Sequence, residues 1–223
     1  MDKICYIVGA GEGFVSFAPR ECDLVIAADG GYDRLAERGI RTDLFVGDMD
    51  SLGVPVSTEV IRYPVRKDET DTALAYRAGR ERGYTRFVLL SCVGGRTAHT
   101  FANFALLAEM RREDMRALLV GERESAFVMM SERLTLSRPE GRYLSLFAYG
   151  GTAYGLTLTG LSYPLSGYTL SPDAHIGVSN AFTAETATVS VEKGCLLVFC
   201  ERREGEPIDC GLLDGFFDVT GKT

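Results

Sequence analysis

The sequence predicts an α/β N-terminal domain with a mostly parallel sheet, followed by an all-β sandwich C-terminal domain. Two observations carry this expectation. Up to about residue 124, short aliphatic and β-branched runs alternate with helical stretches, the order expected of a parallel sheet covered on both faces. Beyond that point helical periodicity stops, and β-rich runs are punctuated by Gly, Pro, Ser or Asp.

In chain order, residues 4–8, 24–28, 44–47, 87–91 and 118–120 read as strands of the first part. Between them, 32–38 reads as a helix stopped by Gly39, and 71–82 as a helix with Thr70 as N-cap and Gly83 as stop. A third helix spans 99–112, with Phe101, Ala105, Leu106 and Ala108 as its apolar face. In the second part, 143–149, 153–159, 186–191 and 195–201 read as strands. The expected division is 1–126, an α/β nucleotide-binding catalytic domain, and 127–223, a β-sandwich domain.

With 223 residues and a formal net charge of −7, the chain has room for a core or two and carries no basic run. Nucleic-acid binding is therefore not expected. No signal-peptide layout and no membrane-spanning apolar stretch is read, so a cytoplasmic location is expected. The six cysteines are scattered without a C-x-x-C pair and read as reduced thiols.

In an open parallel sheet, ligands bind beyond the C-terminal strand ends. The first strand delivers Gly9-Ala10-Gly11-Glu12-Gly13, the second Asp29-Gly30-Gly31, the third Asp48-Met49-Asp50-Ser51, and the fourth Gly94-Gly95-Arg96. Asp48 and Asp50, two apart in an extended segment, point the same way, and their repulsion is relieved by a hard divalent cation such as Mg2+. A solvated acidic turn is the plain alternative. Lys67-Asp68-Glu69-Thr70-Asp71 places two more acids at a helix start, where acids also suit the helix dipole. Glycine-rich turns suit phosphate oxygens, although Gly9-x-Gly11-x-Gly13 fits neither the P-loop nor the dinucleotide fingerprint. Arg96 has the planar fork to clamp a phosphate. His99 either reaches the ligand or packs at the helix start. No serine or cysteine nucleophile with its base is recognisable, and phosphoryl transfer needs none.

Taken together, Ala28-Asp29-Gly30-Gly31, Gly47-Asp48-Met49-Asp50-Ser51, Lys67-Asp68-Glu69-Thr70-Asp71, Gly94-Gly95-Arg96 with His99 and Asn103, and Ser179-Asn180 resemble thiamine pyrophosphokinases in order and spacing. The resemblance implies a homodimer that transfers pyrophosphate from ATP to the hydroxyl of thiamine, giving thiamine diphosphate and AMP. It implies Mg2+ at the catalytic acids Asp48, Asp50 and Asp71, with Asp29 and Asp68 nearby. It assigns nucleotide contacts to Gly9, Gly11, Asp29, Gly30, Gly31, Lys67, Asp68, Thr70, Gly95, Arg96 and His99, and the thiamine pocket to Ser179 and Asn180.

The chain departs from the family pattern in three places. Ala98 stands where the family usually has the acid of Gly-Gly-Arg-x-Asp-His, and Ala181 where an acid often follows Ser-Asn. With no tryptophan, ring stacking falls to Phe or Tyr, with Phe182, Tyr154, Phe216 and Phe217 as candidates. The competing readings are a kinase for another small alcohol, a non-catalytic thiamine or nucleotide sensor on the same fold, and an NAD-binding oxidoreductase that uses Gly9-x-Gly11 and Asp29. The last leaves Asp48, Asp50 and Asp71 unexplained.

Overall fold

The computed structural model describes residues 3–48, 58–63, 68–138, 140–206 and 208. Asp50 and Lys67, together with Phe216 and Phe217, lie outside the described residues. The chain forms two compact units, Met1–Glu122 with Gly205–Ile208, and a second containing Arg123–Glu204.

The first unit runs β1 (Ile4–Val8), β2 (Leu24–Ala28), α1 (Gly31–Ala36), β3 (Leu44–Gly47), β4 (Glu59–Arg62), α2 (Asp71–Glu81), β5 (Arg86–Leu90), α3 (Thr97–Arg112) and β6 (Arg116–Val120). Its strands lie in the order β6-β5-β1-β2-β3-β4, and the pairs along this row are all parallel. β1 and β3 are buried at every residue, as expected of strands covered on both faces. β4 is short, largely exposed and charged, features that blunt a sheet edge. From β1 the chain winds outward to β4, then returns to place β5 on the other side of β1. The strand order therefore reverses between β1 and β5, where a crevice opens in such sheets.

All three helices end in the same left-handed cap. Ile40 N–H bonds Leu35 O (3.0 Å), Tyr84 N–H bonds Gly79 O (3.2 Å) and Met115 N–H bonds Met110 O (2.9 Å), around positive-φ residues Gly39, Gly83 and Asp114. Thr70 caps α2 as expected, its Oγ1 accepting from Ala73 N–H at 3.2 Å. α3 begins two residues earlier than expected, and its apolar face differs. Phe101 is 65% exposed and Ala105 is exposed, whereas Leu106, Leu107, Ala108 and Met110 are buried. The buried stripe lies around the helix from Phe101, so apolar character alone misplaced that face.

The second unit is all β. It comprises β7 (Glu124–Met130), β8 (Arg133–Ser137), β9 (Tyr143–Ala148), β10 (Ala153–Thr159), β11 (Leu165–Leu170), β12 (Asn180–Ala181), β13 (Thr186–Ser190) and β14 (Cys195–Glu201). Two antiparallel rows form, β12-β9-β14-β7 and β11-β10-β13-β8. β8, β9 and β13 alternate buried and exposed residues, and Leu134, Leu136, Leu144, Leu146, Ala187 and Val189 enter the core. The free thiols of Cys5, Cys92, Cys195 and Cys200 are buried, and that of Cys22 is exposed.

Candidate active site

In the first unit a cavity of about 330 Å³ sits at the β1–β5 reversal. Gly9, Ala10 and Gly11 line it from the β1 side, and Gly94, Gly95 and Arg96 from the β5 side. Thr72, Ser91, Cys92, His99 and Asn103 also line it. The two loops are laced together. Gly9, Gly11 and Glu12 donate their N–H groups to the carbonyls of Leu90 (2.9 Å), Ser91 (2.6 Å) and Val93 (2.8 Å). These amides are therefore engaged within the fold. A Cβ on Gly11 would stand 2.4 Å from Val93 O, so glycine is required here by close approach of backbones.

The β5 loop is held in an unusual conformation. Ser91 has φ 51°, and its hydroxyl donates to Gly13 O at 2.8 Å. Asn103, buried on α3, donates from its side chain to Cys92 O at 2.6 Å. Gly94 and Gly95 then turn with φ 78° and 61°, and deliver Arg96 as the extended N-cap of α3. Arg96 and His99 are exposed at the mouth. Burial pushes the Cys92 thiol up to about 12, so it lines the cavity as a neutral group and not as a thiolate.

The acids singled out from sequence follow β2 and β3 and open α2. Asp29, with φ 48°, follows β2; its N–H bonds Val46 O at 2.9 Å, and its carbonyl accepts from Tyr32 N–H at 3.1 Å. Gly30 is the N-cap of α1, and Gly31 packs directly on β1. Asp48 is half-buried just past β3. Asp71 opens α2, Asp68 is exposed two residues before the Thr70 cap, and α2 packs on β1, β2 and β3. Among the described residues no three His, Cys, Asp or Glu side chains come together to hold a metal ion. A carboxylate-only donor set still suits Mg2+, which takes one or two protein carboxylates and completes its shell with phosphate and water.

In the second unit the segment before β12 borders two hollows. Ser179 adopts φ 54°, is exposed, and donates its N–H to Ser145 Oγ at 3.0 Å, beside a hollow of about 600 Å³ that Arg123, Tyr143 and Glu201 also line. Asn180 is only 1% exposed. Its Oδ1 accepts from Tyr163 N–H at 2.8 Å, and its Nδ2 donates to Tyr163 O at 2.9 Å. Its amide thus acts as a backbone partner for Tyr163, which is 71% exposed. Tyr163, Leu165, His175, Ile176, Val178 and Asn180 line a mostly apolar hollow of about 470 Å³.

Of the aromatic residues singled out from sequence, Phe182 is buried at 1% exposure and unavailable to a ligand in this unit, while Tyr154 is exposed. Tyr163 was missed. The signal was the Tyr163-Pro164 step between Gly160 and Gly167, a turn composition with a large aromatic and little to bury it.

Two family models match this chain. Residues 18–119 match "Thiamin pyrophosphokinase, catalytic domain", and residues 131–196 match "Thiamin pyrophosphokinase, vitamin B1 binding domain". The chain belongs to the thiamine pyrophosphokinase family. The catalytic model covers Asp29, Asp48, Asp71 and Arg96, and the vitamin-binding model covers Tyr163, Ser179 and Asn180. β1 and the Gly9–Gly11 turn precede the first match.

A curated relative, thiamine pyrophosphokinase of Bacillus subtilis (strain 168), is 25% identical over 186 residues, 80% of this chain and 87% of the relative. The crystal structure of thiamine pyrophosphokinase from Bacillus subtilis superposes with a TM-score of 0.81 at 23% identity, covering 90% of this chain and 99% of that one. That from Geobacillus thermodenitrificans gives 0.77 at 26% identity, covering 89% and 97%. The fold extends to thiamin pyrophosphokinase from Candida albicans, with a TM-score of 0.71 at 15% identity over 90% and 89% of the two chains. Family membership makes the chain an enzyme of the transferase class. Among the described residues no helix is long and apolar enough to cross a membrane.

Proposed function

We propose that this chain is a Mg2+-dependent thiamine diphosphokinase that transfers pyrophosphate from ATP to the hydroxyl of thiamine, with residues 1–126 holding the nucleotide and 127–223 the vitamin. The observation that carries this reading is the cavity at the β1–β5 reversal. It is lined by Gly95, Arg96 and His99 on one side and by Thr72, the neighbour of Asp71 in the first turn of α2, and all of these lie in the segment matched by the catalytic family model, which also contains Asp29 and Asp48.

In this reading Arg96 and His99 meet the phosphates at the cavity mouth. The turns at Gly30, Gly31 and Gly95 let them approach the backbone, Gly9 and Gly11 shape the cavity wall, Asp68 and Thr70 border them at the start of α2, and Lys67 is a further contact in this proposal. Asp48, Asp50 and Asp71 are the catalytic acids and would hold Mg2+, which neutralises charge on the phosphates when bound. The thiamine hydroxyl oxygen bonds to the β-phosphorus and gives up its proton. The bond from that phosphorus to the oxygen bridging it to the α-phosphorus breaks, and AMP departs. Ser179 and Asn180 serve the vitamin differently. Ser179 is exposed at its hollow, while Asn180 holds Tyr163 beside the apolar hollow, where a phenol ring suits a cationic heterocycle. A homodimer in the cytoplasm is part of the same proposal.

Incubation with ATP, Mg2+ and thiamine, followed by chromatography, tests it. Thiamine diphosphate together with AMP is expected, and chelation of Mg2+ should stop both. Thiamine monophosphate with ADP would overturn attack at the β-phosphorus. Binding of both ligands without any product would favour the sensor reading, which the absence of an acid from the first turn of α3 keeps open.

A further inference from the structure

We infer that Arg77 is a positioning residue that holds the acidic segment 68–71 against α3 and thereby sets the affinity for the Mg2+-nucleotide. This rests on the proposed function, because it concerns the same acids. Arg77 lies on α2, and its Nη2 donates to Glu69 Oε1 at 2.8 Å and to Glu109 Oε1 at 2.6 Å. Its guanidinium lies 5.4 Å from the centre of the Tyr76 ring.

Glu69 precedes the Thr70 cap, eight residues from Arg77. Side chains on one helix meet at spacings of three or four. Glu69 lies just outside the helix, so its long side chain and that of Arg77 meet along one face of α2, and the pair adds to the Thr70 cap in holding the chain that enters the helix. Asp68 and Asp71 flank Glu69 and Thr70, so the hold on Glu69 bears on where both acids stand.

The same nitrogen reaches Glu109 near the C-terminal end of α3, the helix whose first turn carries His99. One guanidinium thus ties the acidic segment before α2 to α3. A neighbouring arginine provides the contrast. Arg80 bonds Glu113 of α3 at 2.7 Å, joining the same two helices without touching segment 68–71. The two arginines share the helix-stapling task, and only Arg77 holds the loop.

The Glu69 and Glu109 side chains are about 40% exposed, and pairs of this kind contribute little to global stability. Loss of Arg77 should therefore act locally. The test compares wild type, Arg77→Met and Arg80→Met by calorimetric titration with Mg2+ and α,β-methylene-ATP, without thiamine, beside thermal melts. Arg77→Met should weaken nucleotide affinity roughly tenfold, the lower end of what loss of an outer-shell partner does at such sites. Arg80→Met should change it by less than about twofold, while the melting temperatures of the two variants stay close.

Equal affinities in the two variants would overturn the inference, since stapling of α2 to α3 would then be all that Arg77 does. Absence of nucleotide binding in the wild type would overturn it as well. A tenfold split in nucleotide affinity with no thiamine product from the wild type would instead uphold Arg77 and refute the proposed reaction.

Discussion

Replacing Gly31 with alanine tests whether the rim is built on backbone contact. A Cβ at this position would lie 1.9 Å from Val8 O and 2.6 Å from Val8 C, both backbone atoms of β1. Neither can rotate away, so α1 and the end of β1 must separate by about 1 Å before a methyl fits. That shift loosens Tyr32 and Leu35, which are 6% and 0% exposed, and disturbs the turn at Gly9 that is bonded to Leu90. Overpacking of a rigid site costs about 1–3 kcal/mol and occasionally more, and this clash with main chain belongs at the upper end, about 3 kcal/mol. For a chain of this size such a loss lowers Tm by roughly 6–12 °C. Gly30→Ala is the matched control. Its nearest neighbour would be Ala10 Cβ at 3.2 Å, and its φ of −57° is open to any residue. Urea and thermal unfolding of both variants, with nucleotide affinity measured alongside, should show a large loss for Gly31→Ala and less than about 1 kcal/mol for Gly30→Ala. Similar losses in the two would refute the claim that close approach to β1 is what demands glycine at 31.

Three further outcomes are expected. Asn180→Ala removes both bonds to the Tyr163 backbone and should cost about 2–3 kcal/mol while raising the KM for thiamine more than that for ATP, read by unfolding and steady-state kinetics. Burial opposes the charge on Asp23, but hydrogen bonds from the Arg20 guanidinium and from the Ile4 and Arg20 N–H groups outweigh it and hold its carboxyl below the usual carboxylate range. The stability this gives is present above about pH 4 and is lost as pH falls through the lowered value, so the urea midpoint should fall in strong acid and Asp23→Asn should flatten that part of the profile. Ala98→Asp restores an acid to the first turn of α3, and a raised kcat would show that its absence limits the present enzyme, whereas an unchanged rate would show a site adapted to alanine.

Apart from β4, whose short, exposed and charged run carries no apolar signal, the strand and helix order of the first unit was legible because its determinants are local. Apolar runs mark strands buried on both faces, Thr70 marks a helix start, and Gly39 and Gly83 mark helix ends. The third helix end was less visible, because Asp114 takes the left-handed position that glycine holds in the other two. β11 escaped notice for a different reason. Most of its residues are exposed, and its pairing with β10 is irregular in register, so no alternation marks it in the sequence. β12, two residues long, is defined by its partner β9 alone. The resemblance singled out Asn180 without indicating its hydrogen bonds. They pair it with Tyr163, seventeen residues away, and a contact of that range leaves no periodic trace.

The glycine turns show how composition can indicate a place and mislead about its mechanism. Glycine after β1 suggests bare amides offered to phosphate. In the fold, the amides of Gly9, Gly11 and Glu12 bind the loop after β5, and glycine is needed because that loop passes too close for a side chain. The turn therefore shapes the crevice by joining the two strands at which the sheet reverses. Recognition of the anionic ligand in the proposed function then falls more heavily on Arg96, His99 and the acids with their metal than on this turn. On this view mutations in the β1 turn should act through stability and cavity shape, and mutations at Arg96 through nucleotide affinity with little change in Tm. Measuring both quantities on Gly11→Ala and Arg96→Met separates the two roles: a stable Gly11→Ala protein with weakened nucleotide binding would return the cradle to the turn.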